Sequence, residues 1–136
     1  MDWVTENIAI GSMQDAQDAR TLTDGGVRAV LNVGIVPVWY GPPVEEHAHI
    51  ALLDSRGNNP RDLLEAVETL DRFVRERGRV LVHCLGGWSR SPCVVACYLW
   101  QRQQMDLEAA LALLRSKRPV VQIKPDLLDF VRQMRW

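Results

Sequence analysis

The sequence predicts a single-domain α/β fold with a central, mostly parallel β-sheet flanked by α-helices. Three observations predict it. The chain opens with a strand, a helix and a strand in succession. A later apolar run, Val80-Leu81-Val82, has the length and uniformity of a strand buried on both faces. Finally, 136 residues suffice for one sizeable core but not for two. Apolar residues make up 47% of the chain and charged residues 24%, ordinary globular usage that excludes disordered and fibrous classes.

Ile8-Ala9-Ile10 before Gly11 reads as the first strand, and Val27 to Val33, after Gly25-Gly26, as a second one rich in β-branched residues. Between them Gln14 to Leu22 spaces Ala and Leu helically, which predicts one short helix. Gly34 to Glu46 contains Pro37, Gly41, Pro42 and Pro43 and therefore reads as a surface loop, with Trp39 and Tyr40 as its anchors on the core edge. His49 to Leu53 reads as a third strand, ending at Asp54. Asn59 as N-cap and Pro60 in the first helical position open an amphipathic helix that Gly78 stops. The buried strand Arg79 to His83 follows. Three helices complete the chain: Pro92 to Gln103 with Ser91 as N-cap, Leu107 to Lys117 after Asp106, and Asp126 to Met134.

A formal net charge of -1 supplies no overall attraction to nucleic acid or to an anionic membrane, so an anionic substrate has to be met by a local pocket. The start of the chain lacks a basic region followed by an apolar run, and no apolar stretch is long enough to span a bilayer. The expectation is a cytoplasmic protein that engages neither membrane nor nucleic acid. Three cysteines without a CxxC pair suggest neither a disulfide framework nor a structural zinc site. His47 and His49 have no ligand partners at suitable spacing, so neither metal nor cofactor is expected. Cys93 and Cys97, four apart on one helix, are expected to face the core.

The informative segment runs from Val80 to Pro92: a buried strand, then His83-Cys84-Leu85-Gly86-Gly87-Trp88-Ser89-Arg90, then a helix start. Converging amides of such a loop form a nest for an anion, and the free N–H groups of the helix start add to it. Leu85, Gly86, Gly87, Trp88, Ser89 and Arg90 are thus the candidate phosphate-binding residues of a Cys-x5-Arg loop. The guanidinium of Arg90 supplies a planar fork for two phosphoryl oxygens. Cys84 points into the same cradle, whose field also stabilises a thiolate. Trp88 is a candidate apolar wall.

His83-Cys84, five further residues, Arg90 and Ser91 resemble the signature of the cysteine-based protein tyrosine phosphatases. Gly87-Trp88-Ser89-Arg90-Ser91 is similar to the form found in their dual-specificity branch. Ile8 to Ser12, Val30 to Val33 and Leu107 to Pro119 resemble that family's opening strand, second strand and late helix, so the likeness covers nearly the whole chain. It implies one catalytic domain over residues 1–136, acting on phosphorylated proteins or peptides through a phosphocysteine. It also implies that Asp54 is the general acid, that Ser91 hydrogen-bonds the cysteine sulfur and that His83 orders the loop. Nothing matches the long phosphotyrosine-recognition segment of the larger tyrosine-specific enzymes, which implies tolerance of phosphoserine and phosphothreonine. Val120 to Pro125 departs from the Asn-containing segment of many relatives, so the resemblance assigns Gln122 no role. A phosphate-binding module without turnover, and a phosphatase for phosphoinositides or RNA 5′ ends, are the rival readings.

Overall fold

The computed structural model describes residues 1–136. Four strands run parallel: β2 (Ile8–Gly11), β3 (Ala29–Asn32), β4 (Glu46–His49) and β5 (Val80–His83). A two-residue strand, β1 (Asp2–Trp3), pairs antiparallel with β2. The order across the sheet is β1-β2-β5-β3-β4, so the strand that leads into the cysteine loop is the middle one. Its neighbours explain its composition. With β2 on one side and β3 on the other, every residue of β5 is buried, and alternation with polar residues would place charge inside.

Side-chain alternation divides the core. Ile8, Ile10, Ala29, Leu31, Val80 and Val82 face α3 (Pro60–Arg77), α4 (Arg90–Arg102), α5 (Leu107–Lys117) and α6 (Pro125–Gln133) across a large apolar cluster. Ala9, Val30 and Leu81 face the other way, toward Ala16 of α1 (Met13–Gln17) and Leu22 of α2 (Ala19–Gly25). In α3 the Asn59 side chain accepts from the Arg61 amide and Pro60 opens the helix. Leu63, Leu70 and Phe73 on its inner face are fully covered, each contributing roughly 1.5–3 kcal/mol by burial.

Four expectations need correction. The segment read as one helix over Gln14 to Leu22 is two, because the Asp18 carboxylate accepts from the amides of Arg20 and Thr21 and starts a new helix. The third strand lies at Glu46–His49 rather than His49 to Leu53. Its partner β3 ends at Asn32, so Ile50 and Leu52 keep only single backbone bonds to Asn32 and Val33 while their side chains enter the core. Ser91 is not the cap of α4: the helix starts at Arg90, and Ser91 lies within its first turn with its hydroxyl turned to Cys84. Pro92 is tolerated there because first-turn amides have no partner inside the helix. Trp39, expected to anchor its loop, stands 90% exposed, whereas Tyr40 does reach the core edge. Short β1 was not foreseen; two residues carry no periodicity to read.

Candidate active site

The loop between β5 and α4 is held by its carbonyl groups. The Cys84 carbonyl faces His83 Nδ1 at 3.1 Å, and that of Leu85 accepts from the Met13 amide at 2.9 Å. Arg118 donates from Nη2 to the Gly86 carbonyl at 3.1 Å and from Nε to that of Gly87 at 3.0 Å. The Trp88 carbonyl accepts from the Gln122 amide and the Ser89 carbonyl from that of Cys93. Every carbonyl from Cys84 to Ser89 is thus engaged with its surroundings, while the amides of Leu85 to Ser89 donate to no protein group. That asymmetry makes the inside of the loop a surface of N–H dipoles. Gly87 is required twice over: φ is +71°, and a Cβ there would lie 2.6 Å from the backbone of Gly11.

Cys84 is buried at the root of the loop, with its Sγ 3.3 Å from the Ser91 hydroxyl. His83, also buried, bridges outward. Since the Cys84 carbonyl can only accept, the proton sits on Nδ1, and Nε2 accepts from the Tyr40 hydroxyl at 2.6 Å. Burial holds the His83 pKa below its ordinary value, hence the imidazole neutral, and pushes the Tyr40 hydroxyl up.

Asp54, at the end of the chain segment after β4, comes to the same place. Its Oδ1 accepts from the Ser89 hydroxyl at 2.5 Å, and the Ser89 oxygen accepts from the Lys124 amide at 2.9 Å. Ser89, expected among the phosphate-binding residues, therefore lends the loop its backbone and turns its side chain to the carboxylate. Arg90, in the first turn of α4, rests its Nη1 3.4 Å from the Leu52 carbonyl. Asp54, Cys84, Trp88, Arg90, Gln122 and Lys124 line one open cleft of about 600 Å³. Trp88 is 59% exposed at its wall.

The structure thus brings together Cys84, Arg90, Asp54, Ser91 and the loop residues Leu85 to Ser89, with His83 behind them. Cys93 and Cys97 are buried in α4, and all three cysteines carry free thiols. The hydrogen bond that Cys97 donates to Cys93, together with burial, pushes the Cys97 thiol up, so it is a poor source of thiolate. His49 is taken up by the Gly34 carbonyl at 2.6 Å, and no three His, Cys, Asp or Glu side chains converge as a metal site would need. Sequence reasoning missed Arg118. Its guanidinium holds two loop carbonyls and pairs with Asp2 at 2.7 Å, a role no local spacing announces because it lies far along the chain from all three partners.

A cysteine at the base of an amide-lined loop, an arginine on the helix that follows and a carboxylate across the cleft thus share one cleft. The chain belongs to the dual specificity phosphatases: residues 8–135 match the model of the dual specificity phosphatase catalytic domain. It is 32% identical over 139 residues to human dual specificity protein phosphatase 9, covering 97% of this chain and 36% of that protein. It is 28% identical over 136 residues to the tyrosine-protein phosphatase yvh1 of Schizosaccharomyces pombe, covering 97% and 39%. The chain therefore spans well under half the length of these two relatives. Its fold is that of human DUSP28, with a TM-score of 0.86 at 24% identity over 98% of this chain and 94% of that one.

Proposed function

We propose that residues 1–136 form a catalytic domain that hydrolyses phosphotyrosine, and also phosphoserine and phosphothreonine, monoesters of proteins through a phosphocysteine at Cys84. The observation that carries this reading is the outward engagement of every loop carbonyl, which leaves the inward amides for three phosphoryl oxygens above the Cys84 sulfur. No helix is long and apolar enough to cross a membrane, and a reducing cytoplasm suits a cysteine nucleophile.

In the first step the Cys84 thiolate attacks phosphorus and the bond from phosphorus to the ester oxygen breaks. Loop amides and the Arg90 guanidinium hold the equatorial oxygens as charge redistributes. Asp54 gives its proton to the departing oxygen, so the leaving group departs as a neutral alcohol or phenol. In the second step Asp54, now a carboxylate, takes a proton from water as that water attacks the phosphocysteine. The sulfur leaves as thiolate, receiving the Ser91 hydroxyl proton as a hydrogen bond. Ser89 keeps the Asp54 carboxyl turned to the cleft in both steps.

The test is hydrolysis of p-nitrophenyl phosphate and of a phosphotyrosine peptide in the presence of chelator, by the wild type and by Cys84→Ser, Arg90→Lys and Asp54→Asn. The expected result is turnover by the wild type, none by Cys84→Ser, and large losses in the other two. Phosphopeptide binding without wild-type turnover would instead identify a phosphate-binding module.

A further inference from the structure

Two cavities meet at the cysteine loop. Beside the catalytic cleft, a second cavity of about 260 Å³ is lined by Met13, Ile35 and Val36, with Cys84, Leu85 and Arg90 shared between the two. Asp54 lines only the first. The acid must reach the ester oxygen, so the group carrying that oxygen lies on the Asp54 side, and the second cavity receives what flanks it.

The chemistry of this second cavity is narrow. The polar groups of its floor are already engaged: Asn32 Nδ2 donates to the Val36 carbonyl at 2.8 Å, Asn32 Oδ1 accepts from the Gly34 amide at 2.9 Å, and the Gly34 carbonyl is bonded to His49. Gly34 brings the floor close to the nucleophile, where a Cβ would meet the Cys84 Cα at a tight 3.2 Å. Above this floor Ile35, Val36 and Leu85 stand 61%, 50% and 59% exposed, and apart from Arg90, whose place is at the phosphate, no charged side chain lines the cavity. An acidic or basic neighbour of the phosphorylated residue would lose water there without gaining a partner.

We propose that this cavity is a specificity subsite that takes an apolar side chain, of the Leu, Met or Phe type, within a residue or two of the phosphorylated one in the substrate polypeptide. This rests on the phosphatase reading above. Covering such a side chain against Ile35, Val36 and Leu85 is worth about tenfold in kcat/KM, from roughly half the burial of a large apolar group.

The test is a set of phosphotyrosine peptides that differ only at the positions next to phosphotyrosine, with Leu, Phe, Ser, Asp or Lys there, assayed with the wild type, Ile35→Ser and Val36→Ser. p-Nitrophenyl phosphate, which carries no flanking group, is the reference. The expected result is a preference of about tenfold for Leu and Phe over Asp and Lys at one or two positions, reduced to about twofold or less in both variants. Turnover of p-nitrophenyl phosphate stays unchanged. A flat peptide series with the wild type active overturns the subsite while leaving the phosphatase reading intact, whereas absence of all wild-type turnover removes that reading itself. A preference that survives both substitutions, or faster turnover of a phosphoinositide in mixed micelles than of the best peptide, also overturns the proposal. The wild-type series decides by itself should either variant fail to fold.

Discussion

Replacing Arg118 with methionine keeps most of the stem and removes the fork that holds the loop from outside. Two hydrogen bonds from a charged donor to the Gly86 and Gly87 carbonyls are lost, at 3.1 and 3.0 Å, together with the Asp2 pair at 2.7 Å. Bonds of this kind are worth about 1.5–3 kcal/mol each, and the partly open Gly86 carbonyl recovers some of its loss from water. A net cost of about 3 kcal/mol to the loop geometry corresponds to roughly two orders of magnitude in rate. Freed carbonyls turn inward toward the phosphoryl oxygens, so transition-state and ground-state binding of phosphate weaken together. The assay is kcat/KM on p-nitrophenyl phosphate beside the inhibition constant of vanadate or inorganic phosphate, with thermal unfolding as the control. The expected result is a fall of about a hundredfold in kcat/KM with a parallel weakening of the anion. A lowered melting temperature with unchanged kcat/KM and inhibition would refute the argument and leave Arg118 as a tie between the chain ends only.

Ser91→Ala removes the hydrogen bond to the departing sulfur, so breakdown of the phosphocysteine slows by about 10–100-fold; a burst of p-nitrophenol followed by a slow steady state shows it, and linear progress curves count against it. Ser89→Ala loosens Asp54, with an expected loss of about tenfold on phosphotyrosine, whose phenol needs a proton, and less on p-nitrophenyl phosphate. Equal losses on both esters would contradict that role. His83 couples folding to pH. Desolvation lowers its folded pKa below the unfolded value of 6.5, so the unfolded chain binds more protons between the two. Its contribution to stability is complete above that value and is lost as pH falls toward the folded pKa. Urea titrations of His83→Asn should therefore show lower stability at neutral pH but a shallower decline on acidification than the wild type; parallel slopes would remove His83 from the account.

The sequence disclosed those parts of the molecule that are local. Val80 to His83 reads as the central strand because full burial demands an unbroken apolar run, and Asn59-Pro60 and Gly78 mark both ends of α3 by their own caps. The cysteine loop is legible because its chemistry lies in consecutive residues. What failed depended on partners distant in the chain. The extent of β4 is set by where β3 stops, so the alternation of Ile50 and Leu52, which reflects core packing, mimics a strand. The start of α4 carries no side-chain cap, and the Ser91 hydroxyl that a capping pattern would use is turned to Cys84 instead. Arg118 and the side-chain role of Ser89 stayed hidden for the same reason: their meaning is given by Gly86, Gly87 and Asp54, which the fold brings to them.

The order of the strands bears on how the molecule is assembled. Because β5 lies between β2 and β3, a growing polypeptide has both flanking strands before the one that joins them. Until Val80–His83 emerges, β2 and β3 each present an unpaired edge, the kind of surface that recruits other chains. Pairing of that strand with both neighbours closes the sheet and places Cys84 at the end of its middle strand. A chain interrupted before that point lacks both the nucleophile and the strand that covers the facing edges of β2 and β3.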